Sequence, residues 1–224
     1  MIKAVLFDLD GTLLDRDASV KRFIHSQYSR LNRMVGHVPR EEYVARFIDL
    51  DQRGYVWKDK VYQQLIKEFH ITGLTWEELL QDYLTDFKYH CEPFPNLVPM
   101  LEELKSRNLW LGMITNGRGQ FQMDNIEALG IKKYFDCILV SEWEGIKKPY
   151  PEIFTRALMK LNVSPEQSIF VGDHPENDVI AAQNAGMIGV WKKDLQWQIE
   201  VEFKVNDLTE IPLLIKICEN GRDF

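Results

Sequence analysis

Four short polar segments of this 224-residue chain carry the residue types that phosphoryl transfer needs. They are Asp8-Leu9-Asp10-Gly11-Thr12, Thr115-Asn116-Gly117, Lys148-Pro149, and Gly172-Asp173 followed by Asp178. Moving a phosphoryl group takes a nucleophile, a proton donor for the leaving oxygen, positive charge around the phosphoryl oxygens and usually a hard cation held by oxygen ligands. Carboxylates can fill the first, second and last of these needs, and a lysine the third. The glycines nearby do not make a nucleotide P-loop, because Gly112 to Arg118 lacks the Lys and Ser/Thr that such a loop places on phosphate and metal.

The elements that must position these residues are visible as apolar runs. Ile2 to Phe7 stops at Asp8, Leu109 to Ile114 at Thr115, Cys137 to Val140 at Ser141, and Ile169 to Val171 at Gly172-Asp173; Ile188 to Trp191 closes the series. Their near-continuous hydrophobicity predicts strands covered on both faces. Helical spacing falls between them, in Leu97, Leu101 and Leu104, in Phe121 to Leu129 stopped by Gly130, and in Ile153, Phe154, Ala157, Leu158 and Leu161. Strand and helix alternating in this way predict an α/β fold, a Rossmann-like doubly wound parallel sheet with helices on both faces. Ligands of such sheets collect beyond the carboxyl ends of the strands, where all four segments fall. Ser164, Pro165 and Gln167 carry a capping-box signature, Thr75 with Glu78 another, and Gly186 marks a helix end.

Residues 17–92 differ, with helical periodicity and almost no strand signal. Val20, Phe23, Ile24, Tyr28 and Leu31 form one stripe, Tyr43, Val44, Phe47 and Ile48 a second, Val61, Leu65 and Phe69 a third, and Leu79, Tyr83 and Phe87 a fourth. A four-helix domain inserted after the first strand is expected over 17–92, with the core made of 1–16 and 93–224. Its exits are Asp15-Arg16-Asp17 and Glu92-Pro93-Phe94-Pro95.

In order and spacing the four segments resemble the motifs of the haloacid dehalogenase superfamily of phosphatases, over essentially the whole chain. Asp8 to Thr12 is similar to the first motif, Thr115 to the second, Lys148 within Gly145 to Pro151 to the third, and Gly172 to Asp178 to the fourth. The inserted helices resemble the family's C1 cap. The resemblance implies that Asp8 attacks phosphorus and becomes an aspartyl phosphate, and that Asp10 protonates the leaving oxygen and later deprotonates water. It implies Mg²⁺ held by Asp8, the main-chain carbonyl of Asp10 and Asp173, with Thr115, the amide of Asn116 and Lys148 on the phosphoryl oxygens. Asp178 would orient Lys148 or a metal-bound water from behind. An acid at position 10 favours phosphate chemistry over the family's dehalogenases and phosphonatases, which depart there. A phosphomutase of the same family and a noncatalytic binding protein that keeps the fold are the alternatives; intact Asp8, Asp10, Lys148 and Asp173 argue against the second.

Each residue also has a plain structural reading. A lone Asp8 would be a loop or N-cap residue, Thr115 a strand end, Lys148 a solvated lysine beside Lys147, and Asp178 an N-terminal carboxylate of the helix running to Ala185. The joint pattern outweighs these readings. His174 adjoins Asp173, but Mg²⁺ prefers oxygen ligands, and a rim or solvated place is expected for it. In the inserted domain, Arg53 and Trp57 are candidates for recognising the leaving group, within a charged and aromatic segment that could equally be a solvated helix end. Trp197 and the second half of the run Ile211 to Ile217 are expected to pack a closing helix on the sheet.

A net charge of −7 argues against nucleic acid and anionic membrane as partners, leaving a small-molecule phosphate ester as the expected one. Cys91, Cys137 and Cys218 are expected to be free thiols, the chain a monomer or homodimer, and its location cytoplasmic.

Overall fold

Ala4-Val5-Leu6-Phe7 is buried at every residue and forms β1 (Ala4–Phe7), the central strand of a six-stranded sheet. In the computed structural model, which describes residues 1–220, the others are β2 (Trp110–Thr115), β3 (Cys137–Val140), β4 (Ser168–Gly172), β5 (Ile188–Lys192) and β6 (Lys204–Val205). All run parallel, in the order β3-β2-β1-β4-β5-β6. The chain steps from β1 outward through β2 and β3, then crosses back to β4 and continues outward on the other side. The direction of winding therefore reverses between β1 and β4, which opens a crevice beyond their carboxyl ends. The apolar pattern ended at β5; β6 pairs only Lys204 and Val205 with Trp191 and Lys192, too short to leave a pattern.

Two units divide the chain, Arg16–Glu92 and the remainder. The first holds α1 (Arg16–Arg30), the single-turn α2 (Asn32–Val35), α3 (Arg40–Asp51), α4 (Lys58–Glu68) and α5 (Trp76–Asp86). The four predicted stripes fall on its four long helices, except that Leu31, Phe69 and Phe87 stand just past the helix ends and Ile48 on α3 is exposed. Aromatic pairs join the helices, with Phe23 edge to face on Tyr83 at 5.2 Å and Phe47 5.4 Å from Tyr62. Thr75 and Glu78 close the predicted capping box of α5. Arg16 already belongs to α1, so the irregular exit is shorter than Asp15 to Asp17 suggested.

The other unit surrounds the sheet with α6 (Leu97–Ser106), α7 (Gly119–Ala128), the one-turn α8 (Ser141–Glu144), α9 (Pro151–Leu161), the short α10 (Ala181–Asn184) and α11 (Ile211–Asn220). Ile153, Phe154, Ala157, Leu158 and Leu161 of α9 pack on Leu6, Ile114, Leu139 and Phe170 of the sheet, with Phe154 and Phe170 edge to face at 5.0 Å. Its two connections to the helical unit are tied together where Leu14 bridges Pro93 and the Phe94 amide donates to the Leu13 carbonyl.

Two expectations fail here, the cap at Ser164 and the place of Trp197. Ser164 makes no cap bond: Pro165–Gln167 is a single 3₁₀ turn that passes straight into β4, and the serine hydroxyl donates to the Gln167 side chain instead. Trp197 lies outside any helix and sits against the His174 ring, 4.9 Å between centroids. The closing helix is α11 alone, with Ile211, Leu214, Ile215 and Cys218 buried while Leu213 and Ile217 face solvent. All three cysteines are free, and no helix among the described residues is long and apolar enough to cross a membrane.

Candidate active site

Registry fixes the site. Phe7 pairs with Met113 on one side and Val171 on the other, so the chain leaves β1 at Asp8 level with Gly172, and the Asp8 amide donates to the Val171 carbonyl at 2.9 Å. Asp8 and Asp173 are thereby set side by side at the crevice between β1 and β4. Gly11 completes the turn after Asp8 with φ +82°, and a Cβ there would stand 2.4 Å from Asp173 Oδ2. Glycine meets both demands, the left-handed backbone and the close approach.

Lys148 reaches this point from the segment before α9. Its ammonium donates to Asp8 Oδ1 at 2.5 Å and to Asp178 Oδ1 at 2.7 Å, and it lies 5.3 Å from the centre of the Phe170 ring. All three charged groups are buried. The other Asp178 oxygen accepts from the His174 amide at 3.0 Å, so Asp178 holds both Lys148 and the loop that carries Asp173. Asn116 clamps Lys148 from a third direction: its Nδ2 donates to the Lys148 carbonyl at 3.0 Å and its Oδ1 accepts from the Lys148 amide at 2.9 Å. The side chain of Asn116 thus organises the lysine, a part that the sequence pattern did not suggest.

Carboxylate oxygens of Asp8, Asp173 and Asp178 come within 4.8 Å of one another. Two buried carboxylates and the half-buried Asp173 around one ammonium leave negative charge in excess, and the protonation equilibria register it. Burial is the main cause pushing Asp8 up to about 7, helped by Asp178 and Asp10 and opposed by Lys148. Burial again, with the charges of Asp8 and Asp178, pushes Asp173 up to about 8. Lys148 moves upward despite its burial, because two carboxylates share it. The ammonium is thus fully compensated while the carboxylates are not. A cluster of hard oxygen donors carrying surplus negative charge suits a divalent cation.

Asp10 and Thr115 face the same crevice through a residue that motif reasoning missed. Gln122, buried on α7, places Nε2 2.7 Å from both Asp10 Oδ2 and Thr115 Oγ1. The only signal for it in the sequence is a polar pair, Gln122 and Asn125, on the buried side of the helix beside Ile126. Lys192 is a second omission: it ends β5, donates to the Gly11 carbonyl at 3.1 Å and lies over the Phe94 ring, with burial pulling its pKa down. His174 is half-buried and has a structural part in its own loop. Its Nδ1 accepts from the amides of Glu176 and Asn177, capping the π turn Pro175–Ile180, and burial lowers its pKa. Arg53 and Trp57 lie in the helical unit, Arg53 in a left-handed conformation with an ion pair to Asp17 at 3.1 Å and Trp57 at the N-terminus of α4.

A doubly wound sheet with carboxylates and a buried lysine at its switch point has the framework of an enzyme that handles phosphate esters. Residues 5–191 match the profile of the haloacid dehalogenase-like hydrolases, and the chain belongs to that family. It is 29% identical to the glyceraldehyde 3-phosphate phosphatase of Pyrococcus furiosus, across 99% of this chain and 96% of that one. The enzyme of the same name from Methanothermobacter thermautotrophicus is 32% identical, with 85% of each chain covered. A crystal structure of a phosphatase of this family from Thermococcus onnurineus superposes with a TM-score of 0.68 at 27% identity, covering 96% of this chain and 98% of that one. Within the family, the chain is a phosphatase.

Proposed function

We propose that the chain hydrolyses a small phosphomonoester in a Mg²⁺-dependent reaction through an aspartyl phosphate on Asp8, with short sugar phosphates of the triose type as its first substrate class. The observation that carries this reading is the buried Asp8–Lys148–Asp178 array beside Asp173. Lys148 engages Oδ1 of Asp8, so Oδ2, which accepts only a long bond from the Thr12 hydroxyl at 3.4 Å among the described residues, is the oxygen left for attack on phosphorus. As the bond from Asp8 to phosphorus forms and the ester oxygen leaves, Asp10 gives that oxygen its proton. Asp10 then takes a proton from the water that attacks the aspartyl phosphate, and Asp8 is released. Thr115, the amide of Asn116 and Lys148 hold the phosphoryl oxygens. Asp8, Asp173 and the main-chain carbonyl of Asp10 would hold Mg²⁺, whose charge lets an anionic nucleophile meet an anionic ester.

Substrate choice goes to the helical unit, as a C1 cap with Arg53 and Trp57 among its selecting residues. The names of the similar proteins support triose phosphates as the leading class, with phosphoserine and phosphoglycolate behind them. Phosphate release from a panel of these esters tests the reading, with Mg²⁺ or a chelator and with Asp8→Asn alongside. Release that needs Mg²⁺ and disappears in Asp8→Asn is expected. Release surviving both would overturn it.

A further inference from the structure

Gln122 is 2% exposed, and its carboxamide has two N–H hydrogens and two acceptors at 2.7 Å, Asp10 Oδ2 and Thr115 Oγ1. The Asn116 carbonyl, at 3.5 Å, is more distant. An ionised carboxylate can only accept, so the nitrogen of the amide is the atom that faces Asp10. Among the described residues no other side chain hydrogen-bonds the Asp10 carboxylate. Gly117 makes room for this arrangement, since a Cβ there would come within 2.8 Å of Gln122 Cγ. Burying a primary amide is costly unless its hydrogens are used, and here both are used on residues that face the crevice.

We propose that Gln122 is a positioning residue for proton transfer by Asp10, a proposal that rests on the acid and base role given to Asp10 above. With Oδ2 occupied by an N–H donor, the proton of the neutral acid resides on Oδ1. Oδ1 delivers it to the departing ester oxygen as the phosphorus–oxygen bond breaks and recovers one from the attacking water. The second N–H fills a lone pair of Thr115 Oγ1, which turns the threonine hydroxyl hydrogen away from α7 and leaves it to donate to a phosphoryl oxygen. One amide thereby fixes the proton donor and a phosphate-binding hydroxyl relative to each other. Misplacing a proton donor by about 1 Å costs on the order of a hundredfold in rate, whereas an ester whose leaving group needs no proton escapes that loss.

The test compares Gln122→Met, which keeps length without polarity, and Gln122→Glu, which keeps shape but cannot donate to an ionised Asp10. Asp10→Asn serves as the reference, and Mg²⁺ is present throughout. Pre-steady-state rates of phosphoryl transfer at saturating ester are measured with p-nitrophenyl phosphate, whose phenolate leaves unassisted, and with glycerol 3-phosphate, whose alkoxide needs a proton. Both Gln122 variants should transfer phosphoryl from the alkyl ester about ten- to a hundredfold more slowly. The aryl ester should lose within about threefold in the same step, then show a nitrophenolate burst because hydrolysis of the phosphoenzyme needs Asp10 as base. Loss of Thr115 orientation should raise KM for both esters alike. An equal loss on both esters at saturation, or no loss on either, would overturn the positioning role and leave Gln122 as a tie between α7 and β2. If Asp10→Asn itself discriminates between the esters while the Gln122 variants do not, only the proposal about Gln122 falls; if Asp10→Asn does not discriminate, the acid and base reading of Asp10 falls with it.

Discussion

Replacing Asp8 by asparagine should stabilise the metal-free protein, and the gain should grow with pH. Burial is the main reason that the Asp8 carboxyl is pushed from 3.8 to about 7, since the pull of Lys148 does not offset the desolvation and the neighbouring carboxylates. A carboxyl raised in the folded state holds its proton more tightly folded than unfolded. The stability that this provides is complete below about pH 4 and is lost as pH rises through about 7. Once Asp8 is ionised, that displacement costs the fold on the order of 4 kcal/mol. Asparagine keeps the shape and an acceptor oxygen for Lys148 but carries no charge, and it also removes one of the charges that push Asp173 to about 8. At about pH 4, where Asp8 is protonated, the two proteins should melt together. At about pH 9 the variant should melt roughly 10 °C higher, taking two to four degrees per kcal/mol for a chain of this size. Thermal unfolding followed by circular dichroism in a chelating buffer reads both conditions. Adding Mg²⁺ should raise the melting temperature of the parent at about pH 9 by mass action and raise that of the variant much less. Equal melting temperatures at the alkaline end would refute the reasoning, because they would mean that Lys148 alone compensates the buried carboxylates.

Gly11→Ala should lower phosphate release about a hundredfold and weaken Mg²⁺ binding, because the new methyl would stand 2.4 Å from Asp173 Oδ2 at a backbone φ of +82°. Activity measured across a Mg²⁺ titration checks this, and activity restored by excess Mg²⁺ would confine the damage to the metal site. In the helical unit, Asp51 accepts from Lys58 and, at 2.7 Å, from Arg16, with Asp51 and Lys58 both 2% exposed. Asp51→Ala should destabilise the unit by about 3–5 kcal/mol, because it strands the buried Lys58 ammonium, whereas Lys58→Met should cost less, since Arg16 still pairs with the Asp51 carboxylate. Paired denaturant melts of the two variants distinguish them, and an Asp51→Ala protein as stable as its parent would show that the carboxylate is dispensable.

Much of the fold was legible because its signals are local. Ile2 to Phe7 is apolar at every position but Lys3, and α9 carries its buried residues at helical spacing, so the element type follows from a few neighbours. The same holds for Asp8, Asp173 and Lys148, whose motifs end or follow such elements. Where several local solutions existed, the local signal failed: Ser164 had the letters of a capping box, but its hydroxyl donates to the Gln167 side chain instead, and His174 uses its ring on two amides of its own loop. Residue types and order along the chain thus determined the layer architecture and which carboxylates could react. Only tertiary structure decided that one ammonium is shared by Asp8 and Asp178, that Asn116 grips the backbone of Lys148, and that Gln122 holds Asp10 from 112 positions away. Those bonds depend on strand register and on where a helix lands against the sheet, and burial then sets what each charge costs; neither is written in any short stretch of sequence.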